Sequence, residues 1–156
     1  MVLGETELVE AVACDRGAGR TIAFANGCFD LLHVGHLRYL QSAAGEGDRL
    51  IVAVNDDASV AGLKGEGRPV QPAEERAELV AAIRGVDYVI VFGESNVERL
   101  LRLLKPDVHC KGTDYTVDSV PERAVVLAYG GRTAIVGDPK HHNTRDLLAR
   151  IRATAD

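Results

Sequence analysis

A chain of 156 residues with 46% hydrophobic and 26% charged side chains is long enough for one self-sufficient core, and no Pro/Ser-rich or repetitive tract marks a linker. Eighteen basic against 23 acidic side chains give a formal charge of −5, which excludes a broad basic face for nucleic acid. No apolar run approaches the roughly 18 residues of a membrane span, MVLGETELVEAV lacks the regions of a signal peptide, and Cys14, Cys28 and Cys110 show no CxxC spacing; the expectation is one cytoplasmic domain over 1–156 with reduced thiols, no membrane partner and no structural zinc.

Periodicity predicts a helix near 6–14, then a first strand at 21–25 (TIAFA) and a helix over 36–44. A second strand follows at 50–54 (LIVAV), a helix over 72–83 opened by Pro72, and a third strand at 86–92 (VDYVIVF). Beyond these come a helix over 95–104 opened by Ser95, a strand at 107–110 (DVHC), a helix over 121–129 between Pro121 and Gly130-Gly131, a strand at 132–136 (RTAIV) and a closing helix over 144–152. Buried strands alternating with amphipathic helices predict an α/β fold: a doubly wound, mostly parallel five-stranded sheet covered on both faces. In such sheets a ligand sits at the carboxyl ends of the strands, where the winding reverses.

NGCFDLLHVGH, residues 26–36, leaves the first strand at that edge and enters the next helix. His33 and His36 are three apart, so both imidazoles share one face of its first turn. The N–H groups and partial positive charge of a helix N-terminus favour a phosphate there. Gly27 permits a tight turn, and Gly35 removes a side chain where a nucleotide can lie against the backbone. Helix capping is the plainest alternative for the histidines. A metal reading would add Cys28, His109, Cys110, His141 and His142, without a recognisable four-ligand spacing.

The stretch G-x-F-D-x-x-H-x-G-H resembles the nucleotidyltransferases of the HxGH superfamily, with the motif at His33-Val34-Gly35-His36. The resemblance extends over about residues 20–152: GDRLIVAVNDDASVAGLKGEGRPVQPAEERAELVAAIRGVDYVIVF, PDVHCKGTDY and YGGRTAIVG are similar to the nucleotidyltransferase domain of bacterial ADP-heptose synthases. It implies a Rossmann-like sheet. It also implies that His33 and His36 contact the triphosphate and stabilise charge as the α-phosphorus is attacked and pyrophosphate leaves. Lys64, in the glycine-rich GLKGEGRPV, becomes a third catalytic, phosphate-binding group. Gly27, Cys28 (through its backbone), Phe29 and Gly35 become nucleotide contacts.

On the acceptor side the resemblance implies Arg76 as a brace of the site, with an exposed ion pair to Glu74 or Glu75 as the alternative. From CKGTDY, Lys111 is expected at a phosphate and Asp114 at sugar hydroxyls or in a positioning bond, with a turn-forming Asp as the alternative. Asp30 is expected to orient a motif histidine or the acceptor, and Asn55 and Asp56 to meet the sugar phosphate or nucleotide, with turn formation as the alternative for these two. Where relatives carry Ser-Thr-Thr before the last helix, this chain has Asn143, Thr144 and Arg145 in HHNTRD. One hydroxyl survives there, Asn143 can cap the helix, and Arg145 adds charge.

The chemistry agrees with the residue types. A sugar phosphate has a second pKa of about 6, so its oxygens are nucleophilic at neutral pH without a general base. Alignment and charge stabilisation remain. The expectation is AMP transfer from ATP, with Mg²⁺, to a sugar 1-phosphate, with D-glycero-β-D-manno-heptose 1-phosphate as acceptor. A separate sugar kinase would supply that acceptor, since no kinase domain fits in this length, and relatives suggest a homodimer. The alternatives are a cytidylyltransferase for glycerol 3-phosphate or another alcohol phosphate, a nucleotide-binding regulatory module, and a tRNA-synthetase-like fragment.

Overall fold

The structure, a computed structural model, describes residues 1–139 and 143–154. Strands β1 (Ile22–Gly27), β2 (Arg49–Asn55), β3 (Tyr88–Phe92), β4 (Val108–Lys111) and β5 (Arg132–Ile135) lie in the order β3-β2-β1-β4-β5. Every adjacent pair is parallel, so the expected mostly parallel sheet is parallel throughout these five strands. Helices α1 (Glu5–Gly17), α2 (Val34–Ala44), α3 (Asp57–Lys64), α4 (Ala73–Ala81), α5 (Glu98–Leu104), α6 (Arg123–Ala128) and α7 (Thr144–Thr154) connect and cover them.

Period-two alternation explains the double covering. Ala23, Ala25, Leu50, Val52 and Val54 face one side, where they pack with Leu40 and Ala43 of α2 and Ala77 and Val80 of α4. Ile22, Phe24, Ile51 and Ala53 face the other, against Leu8 and Val12 of α1, Leu100, Leu101 and Leu104 of α5, and Val125 and Val126 of α6. Burying a side chain such as Phe24 stabilises the fold by about 1.5–3 kcal/mol. Asp15, buried at the N-terminal edge of the sheet, accepts from Arg20 at 2.6 Å and from Tyr88 at 2.8 Å, so this edge is tied together by polar contacts.

The winding reverses at β1, which is followed in sequence by β2 on one side and flanked by β4 on the other. A crevice therefore opens above the carboxyl ends of β1 and β4. Helix α3 departs from the sequence expectation, which puts Lys64 in a loop. Asp56 caps α3 by accepting from Ser59 N–H at 2.7 Å, and Lys64 is its last residue, followed by Gly65 at φ 91°. A glycine is required there because an L side chain is strained at that angle.

Candidate active site

The carboxyl edge of the sheet carries a cleft of about 780 Å³, within the range of nucleotide-sized sites. Its floor is the loop between β1 and α2. Phe29 and Leu31 in that loop adopt φ 49° and 56°, left-handed values that cost non-glycine residues about 1 kcal/mol or more each. Packing offsets the strain at Phe29: its ring stacks on Tyr39, with centroids 6.4 Å apart, and meets His36 edge-on at 5.5 Å. A Cβ on Gly27, the last residue of β1, would come 3.1 Å from that ring, which would have to give by a few tenths of an ångström.

His33 is the N-cap of α2 and His36 its third residue. The Gly35 N–H donates to His33 Nδ1 at 3.1 Å, and the His33 N–H to His36 Nδ1 at 3.4 Å. An Nδ1 that accepts carries no proton, so the proton of each neutral ring is on Nε2. The rings are stacked with centroids 3.9 Å apart and 26° between planes. Capping and ligand binding are thus not exclusive: the backbone engages Nδ1 of each ring, and Nε2 is the nitrogen that carries the proton.

The cleft is lined by His33, Gly35 and His36, by Gly27, Cys28 and Phe29, and by Asn55, Lys64 and Asp114. Asn143, Thr144 and Arg145 reach it from the start of α7. Asn143 Oδ1 accepts from the Asp146 N–H at 2.8 Å, capping the helix as expected. Thr144 Oγ1 donates to the Asp30 carbonyl at 3.1 Å, which joins α7 to the histidine loop.

Three expected acceptor contacts have other partners. Arg76 is fully buried and absent from the cleft lining, and it pairs with neither Glu74 nor Glu75. It donates to the carbonyls of Cys28 at 2.5 Å, Asn55 at 2.7 Å and Gln71 at 2.9 Å, and to Asp57 at 2.8 Å. It braces the cleft from beneath. Asp56 caps α3 and does not line the cleft. Asp30 borders the cleft, yet its carboxylate is taken by Arg68 Nε at 2.6 Å and by the N–H groups of Val70 and Gln71. Burial works to raise the Asp30 carboxyl, but those hydrogen bonds outweigh it and hold the group below the usual carboxylate range.

Lys111 also differs from expectation. It is buried at the cleft wall, 3.7 Å from the Glu122 carboxylate, and its Nζ lies 4.9 Å from the centre of the Tyr115 ring. Burial pushes its ammonium below the usual lysine range, and Glu122 works against that shift. A carboxylate so close disfavours a phosphate at Lys111. Sequence reasoning missed Glu122, Tyr115 and the cleft-lining Arg38 and Arg68. The two arginines had a usable signal, being cations beside the histidine motif and the glycine-rich stretch; Glu122 had none.

Cys28 lies near Asn55, its thiol raised by burial. Cys110 is buried. His109 is buried too, with Nε2 3.1 Å from Asn26 Oδ1, and burial lowers its pKa to about 3. Among the described residues no group of three or more His, Cys, Asp or Glu could hold a metal ion. His141 and His142 lie outside the described residues. No helix of the described residues is long and apolar enough to cross a membrane.

Residues 24–152 match the Cytidylyltransferase-like family. The chain is 48% identical over 151 residues to the bifunctional protein HldE of Pseudomonas fluorescens (strain Pf0-1) and 45% identical to that of Ectopseudomonas mendocina (strain ymp). Each alignment covers 97% of this chain and 32% of the relative, so the chain spans about a third of the length of these proteins. Among solved structures, the lipopolysaccharide core biosynthesis protein from Thermoplasma volcanium GSS1 superposes with a TM-score of 0.65 at 30% identity, over 80% of this chain and all of the other. Pantothenate synthetase from Thermus thermophilus shares the fold, with a TM-score of 0.63 at 18% identity over 91% of this chain and 68% of the other.

Proposed function

The chain belongs to the cytidylyltransferase-like family, and from that premise we propose that it transfers AMP from ATP to D-glycero-β-D-manno-heptose 1-phosphate, releasing pyrophosphate. The observation that carries the reading is the histidine pair: two stacked imidazoles with backbone-held Nδ1 atoms, each with an Nε2–H donor, at the mouth of α2. A phosphate oxygen of the acceptor attacks the α-phosphorus, the bond to the β-phosphate oxygen breaks, and pyrophosphate takes the electron pair. Fixed donors stabilise the charge that develops on the phosphate oxygens, at no reorganisation cost during the step.

In this reading Lys64 closes on the phosphates from the end of α3, and α7 receives the outer phosphates at its first turn, with the Thr144 N–H and the Arg145 side chain as donors while the Thr144 hydroxyl stays on the Asp30 carbonyl. Gly27, Cys28, Phe29 and Gly35 form the floor for the nucleotide, and Asn55 and Asp114 face the acceptor or its hydroxyls. Asp30 and Arg76 position the loops. Mg²⁺ would enter with ATP as part of the substrate, offsetting triphosphate charge that the few cations of the cleft do not neutralise.

Similarity to HldE proteins and to a lipopolysaccharide core biosynthesis protein supports a sugar phosphate over glycerol 3-phosphate as acceptor, and the resemblance of the KGTDY and YGGRTAIVG stretches to ADP-heptose synthases supports ATP over CTP. The same reading holds that the enzyme acts in the cytoplasm as a homodimer, on an acceptor made by a sugar kinase activity. Sedimentation at micromolar concentration tests the dimer. Pyrophosphate release from ATP, CTP, GTP and UTP, each crossed with heptose 1-phosphate and glycerol 3-phosphate, tests the reaction. Turnover confined to ATP with the heptose is expected, and turnover with CTP alone overturns the donor assignment.

A further inference from the structure

On the far side of β1 from Lys64, the cleft wall holds a buried ion pair that the transfer chemistry leaves without a task. Glu122 is only 6% exposed and Lys111 only 8%. Their charged atoms stand 3.7 Å apart, outside hydrogen-bond range, and Glu122 Oε2 is enclosed yet accepts no hydrogen bond. Tyr115 covers the lysine with its ring. All three residues line the cleft. A carboxylate serving only as counter-ion would close to contact, because burial of two separated charges costs several kcal/mol per ion. The arrangement suits a neutral group that donates to the carboxylate and accepts from the ammonium. A hydroxyl does both, and a phosphate is repelled by Glu122.

We propose that Glu122 and Lys111 form a hydroxyl-reading subsite, in which Glu122 Oε2 accepts from one hydroxyl of a vicinal pair on a substrate sugar and Lys111 Nζ donates to its neighbour. The inference rests on the nucleotidyl-transfer reading for the presence of a sugar and deepens it by naming which residues read the ring. Vicinal hydroxyls occur on the ribose of ATP and on the heptose acceptor, and the two sources separate in a binding experiment. Glu122→Gln keeps shape and volume while removing the charge that makes the acceptor strong. Lys111→Gln provides an independent second variant.

Calorimetric titration of wild type and both variants with tripolyphosphate, ATP, 2′-deoxy-ATP, 3′-deoxy-ATP and heptose 1-phosphate is the test. Tripolyphosphate carries no sugar and should bind all three proteins alike. Loss of a hydrogen bond to a charged group should weaken the sugar-bearing ligand about 10- to 100-fold. If the ribose is read, ATP weakens in both variants, and each variant matches wild type only for the deoxy nucleotide that lacks the hydroxyl its residue reads. If the acceptor is read, heptose 1-phosphate weakens and ATP does not. The proposal is overturned if both sugar ligands stay within twofold of wild type in either variant, or if tripolyphosphate weakens as much as they do. Failure of the nucleotidyl-transfer reading shows elsewhere, as absent pyrophosphate release by the wild type while the nucleotide titrations still report on Glu122.

Discussion

Replacing Arg76 by methionine tests whether the cleft is built on this buried guanidinium. Methionine has similar length and reach, so the substitution creates little cavity and isolates the loss of donors. Three main-chain carbonyls, those of Cys28, Asn55 and Gln71, lose their partner, and Asp57 loses its ion pair. Leaving a buried acceptor unsatisfied costs about 1–3 kcal/mol. No longer burying a cation offsets part of this, which leaves a net loss of about 3–5 kcal/mol. At roughly 2–4 °C per kcal/mol for a domain of this size, Arg76→Met should melt about 6–20 °C below wild type by circular dichroism. Cys28 belongs to the loop that carries the histidines, so pyrophosphate release by the folded fraction should also fall, by up to about 10²-fold for an ångström of misplacement. Arg76→Lys should recover less than half of the stability, because one ammonium cannot reproduce the fork. A Met variant melting within about 2 °C of wild type with an unchanged rate would refute the bracing role.

His33→Ala and His36→Ala should each lower the single-turnover rate about 10²–10³-fold, with the double variant losing less than the product of the two because both donors act on one developing charge; a destabilised but fully active His36→Ala protein would end the catalytic assignment. The Asp30 carboxyl is held below its unfolded pKa, so its contribution to stability is present above pH about 4 and lost as the pH falls through the folded value. Melting curves should therefore show a gap between wild type and Asp30→Asn at pH 7 that narrows toward pH 3, and a constant gap would contradict the clasp. His109 has the opposite chemistry: its pKa of about 3 lies below that of the unfolded chain, so proton uptake by the unfolded state lowers stability as pH falls below about 6.5. Imidazole NMR signals should show His109 neutral down to about pH 4, and a midpoint near 6.5 would mean that the ring is not enclosed.

The strands were legible because each is a short β-prone run, and β1, β2 and β4 are buried almost throughout. Their predicted limits fall within two residues of those observed, as with 86–92 against Tyr88–Phe92. Helix α3 escaped notice because DASVAGLK buries only Val60 and contains Gly62, so it shows no apolar face. The predicted helix at 95–104 begins three residues late, at Glu98, since the backbone around Ser95 and Asn96 is bent rather than helical. The histidine motif was readable because its geometry is local: capping and stacking both occur within four residues. Arg76, Asp30 and Glu122 depend on partners far away in the chain or on burial, such as the 48 residues between Arg76 and Cys28, and pattern reading carries no such information.

The strand order also governs when the enzyme comes into being during synthesis and refolding. The histidine loop follows β1, but β1 acquires its second neighbour only when β4 arrives; the Ile22 N–H bonds to Asp107, 85 residues later. The Thr144 bond to Asp30 spans 114 residues. Parallel pairings of such separation form slowly. A nascent or half-folded chain therefore displays both histidines with only one wall of the crevice around them, and it has no enclosed place in which to hold a nucleotide. Completion of the site therefore waits on the contacts most distant in the chain.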